Sequence, residues 1–265
     1  MTEPISVDLL SQLRSHQRWI ETVGKEGNQL QARGIDLSKL DLSHQNLVEA
    51  ELPEANFDGT FLQKADLSGA YLAASSFHQA HLDDAVVVKA DLTGAKLTMA
   101  SLRSLKGRRT DFMQADLRHA DLSNADLLYA SFIQANLSEA VLRDALLVGV
   151  SFDKANLTGA DLTGAHLNGS FLSGVIGIES AKADWIDVST NEVPRILRGD
   201  AVRKWLLDMV STSVPLRTYP RTSLKHTVNG GSTGISTGSM KKVSESHTEA
   251  FIIQGQIEAL SSMDQ

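Results

Sequence analysis

Large apolar side chains recur at every fifth position of the chain from Leu37 to Leu172. Of the 28 positions in this series, called centres below, 21 are Leu, five are Phe, one is Val87 and one is Gly107. Ala stands two residues before the centre in 19 of the 28 cases. Neither an α-helix, with a period of about 3.6, nor a β-strand, with a period of about 2, puts apolar side chains on one face at this spacing. The pattern therefore predicts a solenoid whose chain turns a corner every five residues.

In most repeats the small residue is followed by a polar residue, often Asp or Asn, and then by the central Leu. The runs Ala65 to Gly69, Ala90 to Gly94 and Ala160 to Gly164 resemble the A(D/N)LXX motif of the pentapeptide repeat family. The resemblance covers just over half of the chain. It implies an all-β solenoid, a right-handed quadrilateral β-helix in which four pentapeptides make one square coil. The repeats would then form about seven coils.

The positions of the Phe centres test this coil length. Phe57 and Phe77 are 20 residues apart, and so are Phe112, Phe132 and Phe152 in succession. With four repeats per coil, these five residues fall into two columns on adjacent faces. The Phe spacing therefore agrees with the stacking of residues 20 apart that the resemblance implies.

The repeats also divide the chain into segments. An open end of a β-helix exposes strand edges and core side chains, so we expect a cap at each end. Leu9, Leu10, Leu13 and Ile20 at helical spacing predict a helix from about Val7 to Thr22. The predicted segments are an N-terminal helical cap (1–27), the pentapeptide repeat β-helix (28–177), a C-terminal helical cap (178–210) and a Ser/Thr/Gly-rich tail (211–265).

A second helix is predicted from Asp200 to about Val210, with an amphipathic pattern. Two interpretations stay open for its apolar face. The face either packs on its own solenoid as a cap or, as in some members of the family, forms a homodimer. The residues on this face are Val202, Trp205, Leu206 and Met209.

The composition of the tail predicts a flexible segment. The alternative is that an apolar patch between Thr248 and Leu260 docks on a partner or on the solenoid wall.

One repeat departs from the pattern, with Leu105 where Ala is expected and Gly107 at the centre. One interpretation is that Leu105 fills the space that Gly107 leaves, with a local bulge in the coil. The other is that the basic side chains around this repeat bind phosphate or carboxylate groups of a partner. This basic cluster comprises Arg103, Lys106, Arg108 and Arg109.

The composition excludes several kinds of chemistry. The chain of 265 residues contains no Cys, which rules out disulfide bonds, thiolate metal sites and a cysteine nucleophile. No secretory signal or membrane-spanning run is visible, so the sequence predicts a soluble cytoplasmic protein. The eight His residues lack metal-site spacing and are predicted to lie on the surface. The Asp residues before the centres are predicted to form turns. We therefore expect a non-enzymatic protein without catalytic residues, cofactor or metal.

Three functions agree with these features. The first is a scaffold for protein–protein interaction with an unidentified partner. The second, implied by the resemblance, is a mimic of DNA that binds DNA gyrase or topoisomerase IV and protects it from quinolones or peptide toxins. Mimicry needs a strongly acidic face, whereas the repeats hold 18 Asp and Glu against 12 Lys and Arg. The third is a component of a larger bacterial secretion or signalling assembly. The net charge of −7 disfavours direct binding of nucleic acid, and a basic amphipathic helix for membrane binding is lacking.

Overall fold

The computed structural model describes residues 6–190 and 193–211. The repeats wind in coils of four pentapeptides, since parallel β-bridges join residues that are 20 apart, beginning with Gln31 and Glu51. The expected stacking of residues 20 apart is therefore confirmed, and the repeats form a β-helix. Its four faces are numbered here by their first centres, which are Leu37, Leu42, Leu47 and Leu52 for the first to the fourth face.

Backbone hydrogen bonds hold each repeat to the coils before and after it, as the repeat centred on Leu67 shows. The Leu67 N–H donates to the Val86 carbonyl at 2.7 Å, while the Asp66 N–H donates to the Gln45 carbonyl of the preceding coil at 2.9 Å. The Ala70 N–H closes the corner on the Leu67 carbonyl at 3.0 Å. Because the chain turns after every repeat, these ladders consist of single bridged residues instead of long strands.

The corner residue, two places after each centre, has a positive φ in all 28 repeats, and in 20 of them it is not Gly. Lys64, for example, has a φ of 58°. Left-handed backbone costs a residue with a side chain about 1–2 kcal/mol. The coil offsets this cost with a hydrogen bond from the corner N–H to the next coil, which for Lys64 ends on the Asp83 carbonyl at 3.1 Å. Sequence reasoning missed this feature because the corner residues share no common type.

The interior of the β-helix is a continuous apolar core of stacked columns. The Leu, Phe and Ala side chains of the repeats are almost all fully buried. The Phe centres stack as two columns, with ring centroids 4.5 Å apart for Phe57 and Phe77, 4.8 Å for Phe112 and Phe132, and 5.4 Å for Phe132 and Phe152.

Four repeats carry Thr or Ser at the buried Ala position and pair its hydroxyl. The Thr60 hydroxyl donates to the Leu37 carbonyl at 2.7 Å, which lies 23 residues earlier. Ser75, Thr110 and Ser170 make the same bond to the carbonyl 23 residues before each of them. A small hydroxyl is therefore accepted in this core because the preceding coil supplies an acceptor.

Helix α1, Val7–Glu21, precedes the repeats. Its N-cap is Ser6, whose hydroxyl accepts a hydrogen bond from the Leu9 N–H at 3.2 Å. Leu9 and Leu13 are buried and belong to the same apolar core as the first coils. The apolar face of the helix therefore packs in this core.

The prediction that all eight His residues lie on the surface is wrong for His16 on α1, which is fully buried. Its Nδ1 atom accepts a hydrogen bond from the Leu30 N–H at 3.0 Å. Burial lowers the pKa of His16 below its ordinary value. In later repeats the equivalent N–H donates to a backbone carbonyl, as Ala70 does to Leu67, and at Leu30 the His16 imidazole takes the place of that carbonyl. Residue spacing alone gives no sign of this contact.

The coil changes at its C-terminal end, where the bridges join residues 21 apart, as in Asp161 with Lys182. The extra residue is taken up by a 3₁₀ turn at Ile178–Ser180. The segment predicted as a helical cap also contains two short antiparallel strands, β1 (Trp185–Asp187) and β2 (Ile196–Arg198), before helix α2 (Asp200–Ser211). The tail after Ser211, including the predicted patch from Thr248 to Leu260, lies outside the described residues.

Candidate protein-binding surface

The four side chains of the basic cluster are exposed and lie on two adjacent faces of the β-helix. Arg103 follows a centre of the second face, Lys106 and Arg108 flank a centre of the third face, and Arg109 is the next corner residue.

Two of the four cations are paired with carboxylates of the following coil. The Arg108 Nε donates to Asp126 Oδ2 at 2.7 Å, and the Arg103 Nε lies 3.8 Å from Asp121 Oδ2. Lys106 and Arg109 have no ion-pair partner among the residues that the structure describes. These two side chains are therefore the members of the cluster that keep their charge available.

The coil at Gly107 is regular, which excludes the local bulge that the sequence left open as one possibility. Lys106 pairs with Val86 below and Asp126 above, and the Gly107 N–H donates to the Asp126 carbonyl at 2.7 Å. Leu105 is fully buried. A Cβ atom at Gly107 would lie 2.9 Å from Leu127 Cδ2, so neighbouring side chains already fill the central space. The regular coil keeps Lys106 in register with the rest of the third face.

The third face also carries apolar side chains at outward positions, which the sequence analysis did not predict. These half-buried residues directly precede or follow a centre. Residues 20 apart on this face stack in two columns. The signal was available in the sequence, but it appears only when the positions beside the centres are read as columns. The residues are Val48, Val86, Val88, Leu128, Leu146 and Val148.

Tyr129 extends this surface to the corner between the third and fourth faces. A Cβ atom at Gly149 would lie 2.6 Å from Tyr129 Cδ1, so the ring lies directly over this glycine. The Tyr129 N–H donates to the Val148 carbonyl at 3.0 Å, and the side chain keeps 37% of its exposure. Gly149 thus provides the space that holds an aromatic ring at the edge of the face.

The Asp and Asn residues before the centres form turns, as predicted. The Asp36 Oδ1 accepts the Ser38 N–H at 3.0 Å, and Asp41 accepts the Ser43 N–H at the same distance. These backbone hydrogen bonds hold the pKa of both Asp36 and Asp41 below the ordinary value of aspartate.

Several column carboxylates are also neutralised by Arg side chains. Arg143 donates to Asp161 at 2.6 Å, and Arg118 donates to Asp116 at 2.8 Å. Asp91 and Asp111 are bridged neighbours on the fourth face and form a stacked acidic pair. The acidic groups before the centres therefore do not form a continuous unpaired ladder.

The predicted apolar face of α2 packs within the chain. Val202 and Leu206 are only 2% and 3% exposed, and Trp205 and Met209 are partly buried against the same core. Burial of these side chains needs no second copy of the protein. A cleft of about 310 Å³ lies between the 3₁₀ turn and the start of α2, with Asp184 and Arg203 in its lining.

Within the described ranges, no three or more His, Asp or Glu side chains gather in a way that would bind a metal ion. No helix of the described residues has the length and hydrophobicity to cross a bilayer.

Several solved structures are similar to this chain. HetL, a pentapeptide repeat protein involved in heterocyst differentiation regulation in the cyanobacterium Nostoc sp. strain PCC 7120, is 27% identical, with 63% of this chain and 94% of HetL covered and a TM-score of 0.34. QnrB1, a plasmid-mediated fluoroquinolone resistance protein, is 21% identical, with 57% and 78% covered and a TM-score of 0.41. The pentapeptide repeat protein Rfr23 of Cyanothece 51142 is 30% identical, with 39% and 64% covered and a TM-score of 0.27. A search of curated proteins finds no match.

The family model for pentapeptide repeats matches this chain in eight copies, over residues 35–73, 70–104, 108–144 and 135–174. Together these ranges cover more than half of the sequence. The coil of four pentapeptides and the inward Leu, Phe and Ala side chains agree with this match. The chain therefore belongs to the pentapeptide repeat family.

Proposed function

We propose that this protein is a non-enzymatic scaffold that binds a protein partner through side chains on the outside of its β-helix. The observation that carries the proposal is the basic cluster, in which Lys106 and Arg109 are exposed and have no ion-pair partner among the described residues. The coil beneath them is in register and hydrogen-bonded to both neighbouring coils, through Lys106 to Ala85 and through Gly107 to Asp126. A rigid ladder presents these cations to a partner without a large loss of conformational entropy on binding.

The scaffold proposed here has about seven coils and a helical cap at each end. Leu9 and Leu13 of α1 support the N-terminal cap because they are buried in the core of the first coils. Val202 and Leu206 of α2 support the C-terminal cap in the same way. Capping removes the exposed edges through which β-helices would otherwise associate.

Affinity capture with charge-reversed variants tests the proposal. The full chain and the double variant Lys106→Glu/Arg109→Glu are immobilised and exposed to a lysate of the source organism. The matched control is Lys39→Glu/Lys64→Glu, which makes the same charge change at exposed corner positions of the first and second faces. We expect one protein to be retained by the wild type and the control and lost by the cluster variant. Equal retention by all three would place the binding elsewhere, and no retained protein would contradict the scaffold function.

A topoisomerase-directed function is the second candidate and is tested by a gyrase supercoiling titration with and without a fluoroquinolone. The paired carboxylates Asp116 and Asp161 argue against it, because a DNA mimic must present unpaired negative charge. We expect no inhibition and no drug protection up to tens of micromolar protein. An effect below about one micromolar, a Kd range typical of specific complexes, would replace the scaffold proposal by the mimic.

A further inference from the structure

The third face has a charge balance that differs from that of the other three. It bears four cationic side chains against three carboxylates, whereas carboxylates outnumber cations on each of the other faces. One of its cations is already neutralised, since Arg108 is paired with Asp126 at 2.7 Å. The cations without an ion pair among the described residues are Lys89, Lys106 and Arg109.

These cations stand next to apolar side chains. The Lys89 N–H donates to the Arg108 carbonyl at 3.0 Å, and the Arg109 N–H donates to the Leu128 carbonyl at 2.9 Å. Neighbouring coils of a hydrogen-bonded ladder lie about 4.8 Å apart. Arg109 and Leu128 therefore lie on neighbouring coils, and their backbones are separated by about this distance. The cations of this face lie on two successive coils, with aliphatic residues beside Lys89 at Val86 and Val88 and, on the coil after these two, at Leu128.

The Tyr129 ring adds an aromatic surface at the same place. It follows Arg109 in the corner column and lies over Gly149. Tyr and Arg are enriched at the energetically dominant positions of protein interfaces.

We infer that the third face binds an acidic protein segment that also carries aliphatic or aromatic side chains. Carboxylates of the segment would pair with Lys89, Lys106 and Arg109, and its apolar side chains would pack on Leu128 and Tyr129. Charge complementarity favours such a segment over nucleic acid, because three unpaired cations on a chain of net charge −7 make a weak phosphate footprint. This inference rests on the proposed scaffold function and names the chemistry of the partner.

Selection of peptides on the full-length protein tests the inference. The probe is a phage library of random dodecapeptides, and the Kd of a selected peptide is then measured by fluorescence polarisation. We expect selected peptides to be rich in Asp and Glu and to contain at least one large apolar residue. Arg109→Glu and Leu128→Gln should each weaken binding by about tenfold, a loss of a size that only a minority of interface residues reach.

Two control variants match these changes on other faces. Lys64→Glu reverses a charge at an exposed corner with the same positive φ as Arg109, and Ile133→Gln removes an apolar side chain at the position after a centre, as in Leu128. We expect both to leave the Kd within about twofold of the wild type, as for residues outside the hot spot. Circular dichroism and thermal unfolding check that all four variants fold.

The outcomes separate this inference from the scaffold proposal. The inference would be overturned if the Kd of the selected peptides rose in the control variants but not in the third-face variants. The protein would then still be a scaffold, with its binding site on another face. Basic peptides, or acidic peptides that bind all variants equally, would overturn the inference as well. If an oligo-dT strand or anionic phospholipid vesicles bind the third face more tightly than the selected peptides do, nucleic acid or lipid would replace the protein segment as the proposed ligand. Selection of no peptide would contradict the inference, while capture of a folded partner in the lysate experiment would still support the scaffold.

Discussion

Exchange of the side chains at positions 105 and 107 tests how the irregular repeat is packed. Leu105 is fully buried, and its Cδ2 atom lies 3.4 Å from the position that a Cβ atom at Gly107 would take. Leu105→Ala alone leaves a cavity that Gly107 cannot fill, and such truncations cost about 2–5 kcal/mol. Gly107→Leu alone overpacks the core, because its first added carbon would already lie 2.9 Å from Leu127 Cδ2. Overpacking of this kind costs about 1–3 kcal/mol.

The double variant Leu105→Ala/Gly107→Leu restores the family pattern of Ala followed by Leu. It conserves the side-chain volume of the repeat, and volume-conserving exchanges usually cost less than about 1.5 kcal/mol. The two single changes together should cost at least about 3 kcal/mol. The expected coupling free energy between the two positions is therefore at least about 1.5 kcal/mol, within the range found for residues in contact.

Urea unfolding followed by far-UV circular dichroism measures these free energies. A control cycle combines Gly107→Leu with Leu42→Ala, a buried centre of the first coil on another face. Because Leu42 does not contact this repeat, its effects should add to within about 0.5 kcal/mol. The reasoning is refuted if the Leu105/Gly107 pair is additive to the same degree as the control.

Other properties of the chain are open to similar tests. Because burial lowers the pKa of His16, the unfolded chain takes up a proton first as the pH falls below about 6.5, and stability should fall by up to about 1.4 kcal/mol per pH unit. The difference between the urea midpoints at neutral pH and at about pH 5.5 should shrink in His16→Gln. An unchanged difference would mean that other titrating groups cause the pH dependence of stability. Phe132→Ala should cost about 3–5 kcal/mol in urea unfolding because its ring stacks on two others, whereas Phe132→Leu should cost less than about 1.5, and equal losses would argue against the stack. At the corners, Gly94→Ala should lower stability by about 1–2 kcal/mol because its φ is positive. Met99→Gly should raise stability by up to about 1 kcal/mol, since glycine relieves the left-handed strain but adds conformational freedom to the unfolded chain. Opposite shifts of the thermal midpoint would contradict both.

The candidate surface was predicted only in part. The basic cluster was visible because Arg103, Lys106, Arg108 and Arg109 are close in the chain. Which of them are neutralised was not visible, since the partners Asp121 and Asp126 lie 18 residues away on the next coil. The apolar residues of the third face are separated by 20 or more positions and become one surface only when the coils stack.

The sequence by itself determined the coil. A large apolar residue every five positions, with a small one two residues before it, is compatible with one corner per repeat, and the Phe spacing agrees with the four repeats per coil that the family resemblance implies. Only the tertiary structure decided the burial of His16, the filling of the space at Gly107 and the positive φ of corner residues such as Lys64. The periodic pattern reflects the positions that are buried in every repeat. The other contacts depend on which atoms of the neighbouring coil lie next to each repeat.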